Sequence, residues 1–157
     1  MTRWLDQQEQ HAWRAILRSG HVLRAAMDEA LVQHGVSLGE YELLSMLSEA
    51  PGCRMRMSVL ADLIVQSRSR VSHTATRLER QGWVERAPSR QDGRGVELAL
   101  TDAGHARLSE LAPIHVESVR AALLDHLTRE ELLAHGQLMR RVLVATRRSD
   151  DEASDAV

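Results

Sequence analysis

The sequence predicts a mainly α-helical fold that carries one small β-hairpin. Its 157 residues are 43% hydrophobic but only 3% aromatic, with no phenylalanine. A core of leucine, valine, alanine and methionine suits helices better than a β-sandwich. Apolar residues recur at spacings of three and four along most of the chain, which is the period of amphipathic helices. An Asp-Gly pair between two short segments of alternating apolar residues indicates the hairpin.

The first predicted helix covers residues 8–34, and Gly35 follows it as a C-cap. Its apolar stripe consists of Trp13, Ile16, Leu17, Gly20, Leu23, Met27, Leu31 and His34. This stripe is too long to be buried against so small a domain, which favours a partner helix.

A second helix begins after Ser37, because Ser37 and Glu40 have the spacing of a capping box. Pro51-Gly52 ends it. Its predicted buried side consists of Tyr41, Leu43, Leu44 and Leu47.

A short third helix and a fourth helix follow, separated by a tight turn. The third begins near Ser58 and directs Leu60, Leu63 and Ile64 inward. Ser67 is the predicted N-cap of the fourth. In that helix the core-facing residues are Val71, Ala75 and Leu78, whereas the opposite side carries Ser69, Ser72, His73, Thr76, Arg77 and Arg80. Two such helices predict a helix-turn-helix, with the polar side of the second suited to a DNA major groove.

The hairpin follows the fourth helix directly. Gly82 ends the helix, and the segments WVERAP and GVELALT alternate like strands around the tip SRQDGRG. Arg90 and Arg94 lie on this tip. A helix-turn-helix followed by an arginine-tipped hairpin predicts a winged helix, whose tip can enter a neighbouring minor groove.

Two further helices complete the chain. Thr101 caps one over about residues 102–124, which Pro113 should bend or split. Thr128 and Glu131 form a capping box that opens the last helix, which is expected to end near Arg147. The predicted organisation is an N-terminal helix (1–36), a winged helix-turn-helix domain suited to DNA (37–101), C-terminal helices (102–147) and an acidic disordered tail (148–157). The family resemblance described below assigns dimerisation to both sets of terminal helices.

Charge is distributed unevenly along the chain. All 20 basic residues are arginine, and the formal net charge is −2. Residues 54–94 hold nine arginines against four acidic residues, whereas the segments on either side are net acidic. A basic middle segment predicts a local anionic partner, and the forked guanidinium group suits phosphates and guanine edges.

Residues 58–104 resemble the MarR (multiple antibiotic resistance regulator) family of bacterial winged-helix transcription factors. The resemblance extends over about residues 8–147, and the family's wing pattern is the sharpest match. That pattern consists here of Arg86, Asp92, Arg94, Leu100, Thr101 and Gly104.

The resemblance implies a homodimer with intertwined terminal helices that binds an inverted-repeat double-stranded DNA operator, most simply as a repressor released by a small aromatic or anionic effector. Asp92 matches the aspartate that stabilises the wing in this family. The implied DNA contacts are Ser67, Arg68, Ser69, Arg70, Ser72, His73, Thr74, Arg77, Arg86, Arg90 and Arg94. The implied effector pocket would be lined by Trp13, Leu17, His21, Tyr41 and Leu44.

Other functions are expected to be absent or stay as alternatives. No nucleophile elbow, P-loop, dinucleotide fingerprint or cysteine-zinc motif argues for an enzyme or a cofactor. The eight histidines lack the spacing of helical metal ligands, so no metal site is predicted, although a metal-responsive dimer stays open. Cys53 beside Arg54 leaves a redox-responsive regulator open. A winged helix that binds an acidic protein instead of DNA is the other alternative. Without a signal or membrane-spanning pattern, a cytoplasmic location is expected.

Overall fold

The computed structural model describes residues 1–64, 66–89 and 95–154, with side chains to residue 146. Within these residues it contains six α-helices and three β-strands. In chain order they are α1 (Gln7–Val32), α2 (Leu38–Glu49), β1 (Arg54–Arg56), α3 (Met57–Leu63), α4 (Arg68–Arg80), β2 (Val84–Pro88), β3 (Val96–Leu100), α5 (Asp102–Ala122) and α6 (Arg129–Ser154). The chain divides into two compact units, Met1–Ser118 and Val119–Val157.

The predicted capping boxes fix where the helices begin. In α2, the Ser37 backbone N–H donates to Glu40 Oε2 at 2.8 Å, and the Glu40 N–H donates to Ser37 Oγ at 3.4 Å. The same reciprocal pair joins Thr128 and Glu131 before α6. Each box satisfies backbone donors that a helix start leaves free. The pKa of the exposed Glu131 carboxyl is lowered by its hydrogen bonds from the Thr128 backbone and side chain.

Helix α1 ends in a Schellman motif, as its glycine predicts. Gly35 has a φ of +76°, the left-handed conformation that favours glycine. The Val36 N–H then donates back to the Leu31 carbonyl at 3.3 Å, and both of these side chains are buried. The turn therefore delivers the chain from α1 into the core.

The hydrophobic core lies under the helix-turn-helix and its sheet. Helix α2 contributes Leu43, Leu44 and Leu47, which have no exposed surface, and Tyr41, which is 7% exposed. These four burials confirm the predicted inner side of α2. The other fully buried side chains at its centre are Leu31, Leu60, Val71, Ala75, Leu78, Leu98 and Leu111.

A third strand, β1, joins the predicted hairpin. The sheet is antiparallel with the order β1-β3-β2, so that Met55 and Arg86 both pair with Leu98. The central strand β3 therefore buries three consecutive residues, Glu97, Leu98 and Ala99, where an isolated hairpin would bury alternate ones. Three residues are too few to produce a strand signal, and no pattern in the sequence predicted β1.

Several boundaries differ from the sequence predictions. Helix α3 begins after Arg56 without a side-chain cap from Ser58, and Leu63, predicted to face inward, is 41% exposed because the short helix ends there. Helix α5 continues through Pro113 without being split. Helix α6 runs to Ser154, beyond its predicted end near Arg147. No helix in the described part of the chain is both long and apolar enough to span a membrane.

Gly104, in the first turn of α5, contacts Trp83, the residue that precedes β2. A Cβ atom built on Gly104 would lie 2.0 Å from the Trp83 carbonyl oxygen and 2.8 Å from Leu100 Cδ1. Since the first of these atoms belongs to the backbone, it cannot move aside as a side chain would. Only glycine therefore fits at this position.

We expect Gly104→Ala to lower the free energy of unfolding by about 3 kcal/mol, because the methyl group overlaps rigid backbone. Urea denaturation of both proteins would measure the change. The matched control is Gly39→Ala in α2, whose nearest new contact would be Gln66 Nε2 at an ordinary 3.5 Å. That variant should be neutral or gain up to about 1 kcal/mol. Equal stabilities for the two variants would contradict the close approach at Gly104.

Candidate nucleic-acid interface and the adjoining cavity

Helix α4 is divided into an apolar and a polar side. Val71, Ala75 and Leu78 have no exposed surface, so they fix this side of the helix to the core. The opposite side is exposed and carries most of the predicted DNA contacts: Arg68, Ser69, Arg70, Ser72, His73 and Arg77. Thr74 is half-buried at the border between the two sides. The predicted amphipathic division of α4 is confirmed.

The beginning and end of α4 are fixed by local hydrogen bonds. Ser67 is the N-cap, as predicted, and its Oγ accepts from the Arg70 N–H at 3.3 Å. At the other end Gly82 has a φ of +72°. The Trp83 N–H donates to the Leu78 carbonyl at 3.1 Å, which makes a second Schellman motif. This turn leads directly into β2, the first strand of the wing.

Arg77, in the last turn of α4, is exposed but forms an ion pair with Glu40 of α2. Its Nη2 lies 3.3 Å from Glu40 Oε1, and the Arg77 side chain is 66% exposed while that of Glu40 is 6% exposed. The second oxygen of Glu40 accepts from the Ser37 hydroxyl at 2.8 Å. The buried Glu40 carboxylate therefore caps α2 and also forms an ion pair with Arg77 of α4.

Arg86, also among the predicted DNA contacts, binds within the protein. Its Nη1 donates to Glu79 Oε2, and its Nη2 donates to the Ser72 carbonyl at 3.2 Å and to Thr76 Oγ1 at 3.0 Å. The guanidinium group is therefore shared among three acceptors on α4 while its own backbone belongs to β2. No feature of the sequence predicted this arrangement, because an arginine that binds within the protein cannot be told from one that binds DNA by its sequence neighbours.

A buried polar group lies at the base of the wing. Glu97 is 7% and Ser89 is 4% exposed, and the Ser89 hydroxyl donates to Glu97 Oε1 at 2.9 Å. Arg56 Nη2 in turn donates to Ser89 Oγ at 3.2 Å, and Arg54 Nη1 lies 3.9 Å from Glu97 Oε2. Two arginines of β1 thus compensate a carboxylate buried in the sheet.

The predicted wing-tip residues Arg90, Asp92 and Arg94 lie outside the described residues.

A cavity of about 350 Å³ lies beside the core, between α1, α2, the end of α3 and α5. Most of its lining is apolar, with Tyr41, Ser45, Glu42 and His115 as the polar members. The Tyr41 and His115 rings lie 4.3 Å apart between centroids, tilted by 36°. A largely apolar lining with a few convergent polar groups is typical of small-molecule sites.

The two rings of the cavity titrate away from their ordinary ranges. Burial lowers the pKa of His115, and the nearby Glu42 carboxylate partly opposes this. Burial, with a smaller contribution from Glu49, raises the pKa of Tyr41. His115 Nδ1 is buried and has no hydrogen-bond partner among the described residues.

Of the five residues predicted to line an effector pocket, the structure places only Tyr41 on this cavity. Leu44 is fully buried in the core. Trp13, Leu17 and His21 are exposed on α1, whereas the cavity meets α1 more than one turn further along, at Met27. His115 was not predicted, although its position between apolar residues of α5 is the signal that could have indicated it.

The metal and redox alternatives raised by the sequence concern the histidines and Cys53. No three histidine, cysteine or acidic side chains in the described parts of the chain are grouped to hold a metal ion. Cys53 is half-buried after α2, in a left-handed conformation with a φ of +53°. Its Sγ lies 4.0 Å from the Ser48 carbonyl oxygen.

Comparison with known proteins decides the family. A sequence profile of the MarR family matches residues 34–95. AbsC, a MarR family transcriptional regulator from Streptomyces coelicolor, is 38% identical, with a TM-score of 0.86 over 93% of this chain and 99% of its own. The chain belongs to the MarR family. Its relatives in this family are transcriptional regulators and not enzymes.

Other MarR relatives agree with this assignment. Sco3205 from S. coelicolor, whose structure is a complex with DNA, is 40% identical, with a TM-score of 0.85 over 90% of this chain and 89% of its own. The HTH-type transcriptional regulator PecS of Dickeya dadantii (strain 3937) is 30% identical over 100 residues, which are 62% of this chain. The match spans only 60% of the length of PecS.

The lowered pKa of His115 predicts a pH dependence of stability. Because the folded pKa lies below the ordinary value of 6.5, protonation favours the unfolded chain. The contribution of neutral His115 to the free energy of unfolding is therefore fully present above pH 6.5, and it is lost as the pH falls from 6.5 through the folded pKa. His115→Gln should therefore lose less stability than the wild type between pH 7.5 and 5, measured by denaturant unfolding. The exposed His105 provides the control, since His105→Gln should follow the wild-type profile. Parallel profiles for wild type and His115→Gln would contradict the assignment.

Proposed function

We propose that this MarR-family chain is a transcription regulator that binds an inverted-repeat DNA operator as a homodimer and acts as a repressor. The observation that carries the proposal is the exposed polar side of α4, which holds Arg68, Arg70 and Arg77 opposite a side fully buried in the core. A rigidly seated helix with exposed guanidinium groups suits a major groove, where arginine binds phosphates and guanine edges.

The local charge supports a nucleic-acid partner. Residues 54–94 carry a net charge of +5 in a chain whose net charge is −2. The anionic backbone of DNA attracts such a segment, and the acidic remainder of the chain orients it. The wing-tip contacts of Arg90 and Arg94, and the stabilisation of the wing by Asp92, stay predictions. So do contacts from Ser67, Ser69, Ser72 and Thr74 on α4.

Exposed apolar side chains on the terminal helices support the homodimer. On α1, Trp13, Ile16 and Leu17 are 51%, 47% and 44% exposed, and on α6 Val142 and Leu143 are 53% and 50% exposed. Apolar stripes of this length are unfavourable in water. A second copy of the chain would cover them, and twofold symmetry would present two α4 helices to half-sites one turn of DNA apart.

We further propose that a small aromatic or anionic ligand regulates DNA binding through the cavity beside Tyr41 and His115. Its volume of about 350 Å³ suits a small molecule. A ligand there can release DNA only if it binds more tightly to an arrangement in which the α4 helices do not match the operator. Because its proposed partner is genomic DNA, the protein is also proposed to act in the cytoplasm.

We expect specific, salt-dependent binding to a DNA fragment from upstream of the protein's own gene. In a gel-shift titration at two salt concentrations, the affinity should fall steeply as salt rises, because bound arginines release counterions. His73→Ala should weaken operator binding by about 1 kcal/mol while leaving affinity for random DNA unchanged, since an imidazole contact reads bases. The control is His11→Ala, an exposed histidine of α1.

A uniform loss across all DNA would reassign His73 to the phosphate backbone. Absence of binding to every promoter fragment, together with capture by an acidic protein, would favour the protein-interaction alternative.

We expect Leu143→Glu to convert the dimer to monomers, because it places a charge within an apolar interface. Sedimentation velocity at micromolar concentration would show the change. Glu130→Gln, at the exposed start of α6, is the control and should stay dimeric. A wild-type protein that sediments as a monomer would contradict the proposed assembly.

A further inference from the structure

Arg86 joins the two elements that are proposed to contact DNA. Its backbone N–H donates to Glu79 Oε1 at 3.3 Å, in addition to the three guanidinium contacts with α4. The described part of the wing continues along β2 for three residues beyond Arg86, to Ser89. A single side chain therefore connects the middle of α4 to the strand that leads into the wing.

The burial of the apolar side of α4 does not by itself prevent the helix from moving along or about its own axis. Its buried side has only three fully buried side chains, and apolar contact is non-directional. A helix on such a surface can roll or slide slightly with little loss of buried area. Hydrogen bonds depend strongly on distance and angle, so the guanidinium contacts restrict those remaining motions.

One of these contacts is made at the point where positioning matters most. Arg86 Nη2 binds the backbone carbonyl of Ser72, whose own side chain and its neighbour His73 are predicted DNA contacts. The Thr76 hydroxyl also donates to this carbonyl, at 2.9 Å. A shift of the Ser72 backbone would move both predicted contacts, and a recognition site must be held within about 0.5 Å of its productive geometry.

We propose that Arg86 is a positioning residue that sets the distance between α4 and the wing, and thereby the discrimination between operator and other DNA. The proposal rests on the proposed DNA-binding function. It differs from the family-derived prediction that Arg86 touches DNA, because here the guanidinium group acts through Ser72, Thr76 and Glu79. Glu79 is the necessary partner, since it neutralises the arginine and receives both its backbone and side-chain donors.

The two roles of Arg86 predict opposite results for Glu79→Gln. If Arg86 bound phosphate, removing the carboxylate would free the cation and leave or raise DNA affinity. If Arg86 positions α4, Glu79→Gln should lower operator affinity about ten-fold, the effect of one misplaced base contact. Arg86→Gln should do the same while leaving the salt dependence on random DNA unchanged, whereas loss of a phosphate contact would reduce that slope by about 0.9.

The experiment compares wild type, Glu79→Gln, Arg86→Gln and Arg86→Lys for binding to operator and random DNA at four salt concentrations. The control is Glu85→Gln, an exposed neighbour on β2, which should behave as wild type. Arg86→Lys keeps the charge, but one compact ammonium group cannot occupy the positions of both guanidinium nitrogens that contact α4, so it should lose most of the operator preference. A wild-type preference of Arg86→Lys for the operator over random DNA, or an unchanged operator affinity of Glu79→Gln, would overturn the proposal.

Hydrogen exchange on the free protein separates this proposal from the proposed function. In Arg86→Gln the amides of residues 70–76 should exchange at least ten-fold faster than in wild type, while the buried amides of α2 keep their rates. Unchanged exchange in α4 would overturn the positioning role whatever the DNA result. If α4 is loosened as expected but wild type binds no operator, the proposed function fails and the structural role of Arg86 stands.

Discussion

The burial of one side of α4 is the constraint on which the rest of this molecule depends. Val71, Ala75 and Leu78 are completely enclosed, and each lies three or four residues from the next, so the helix has only one stable face toward the core. Everything displayed on the opposite side follows from that choice. The arginines of α4 face solvent because the apolar residues occupy the side that packs against the core. Exposed guanidinium groups in turn favour binding of an anionic partner.

Arginine has two separate tasks in this fold. Arg54, Arg56 and Arg86 bind acceptors within the protein, at the base of the wing and between β2 and α4. The arginines at the start of α4 instead point to solvent. The internal group compensates the carboxylates of Glu97 and Glu79, so these arginines are already paired within the protein. A count of positive charges alone would overestimate the number of groups free to meet DNA.

The parts of this structure that were predictable are those determined by neighbouring residues. The caps at Ser37, Ser67 and Thr128 and the glycine turns at Gly35 and Gly82 are local, so spacing and residue type identify them. Strand β1 and the contacts of Arg86 depend on partners far along the chain, and no short pattern encodes them. The cavity shows the same limit, since His115 joins Tyr41 only through folding, across more than seventy positions of sequence.

The absence of a side chain at Gly104 has a mechanical consequence. Helix α5 carries His115 on the cavity and, at its first turn, meets the carbonyl of Trp83 with no room for even a methyl group. Trp83 is the residue through which α4 passes into β2. Because two backbones already in contact cannot approach further, α5 cannot move toward the base of the wing at this point without displacing Trp83.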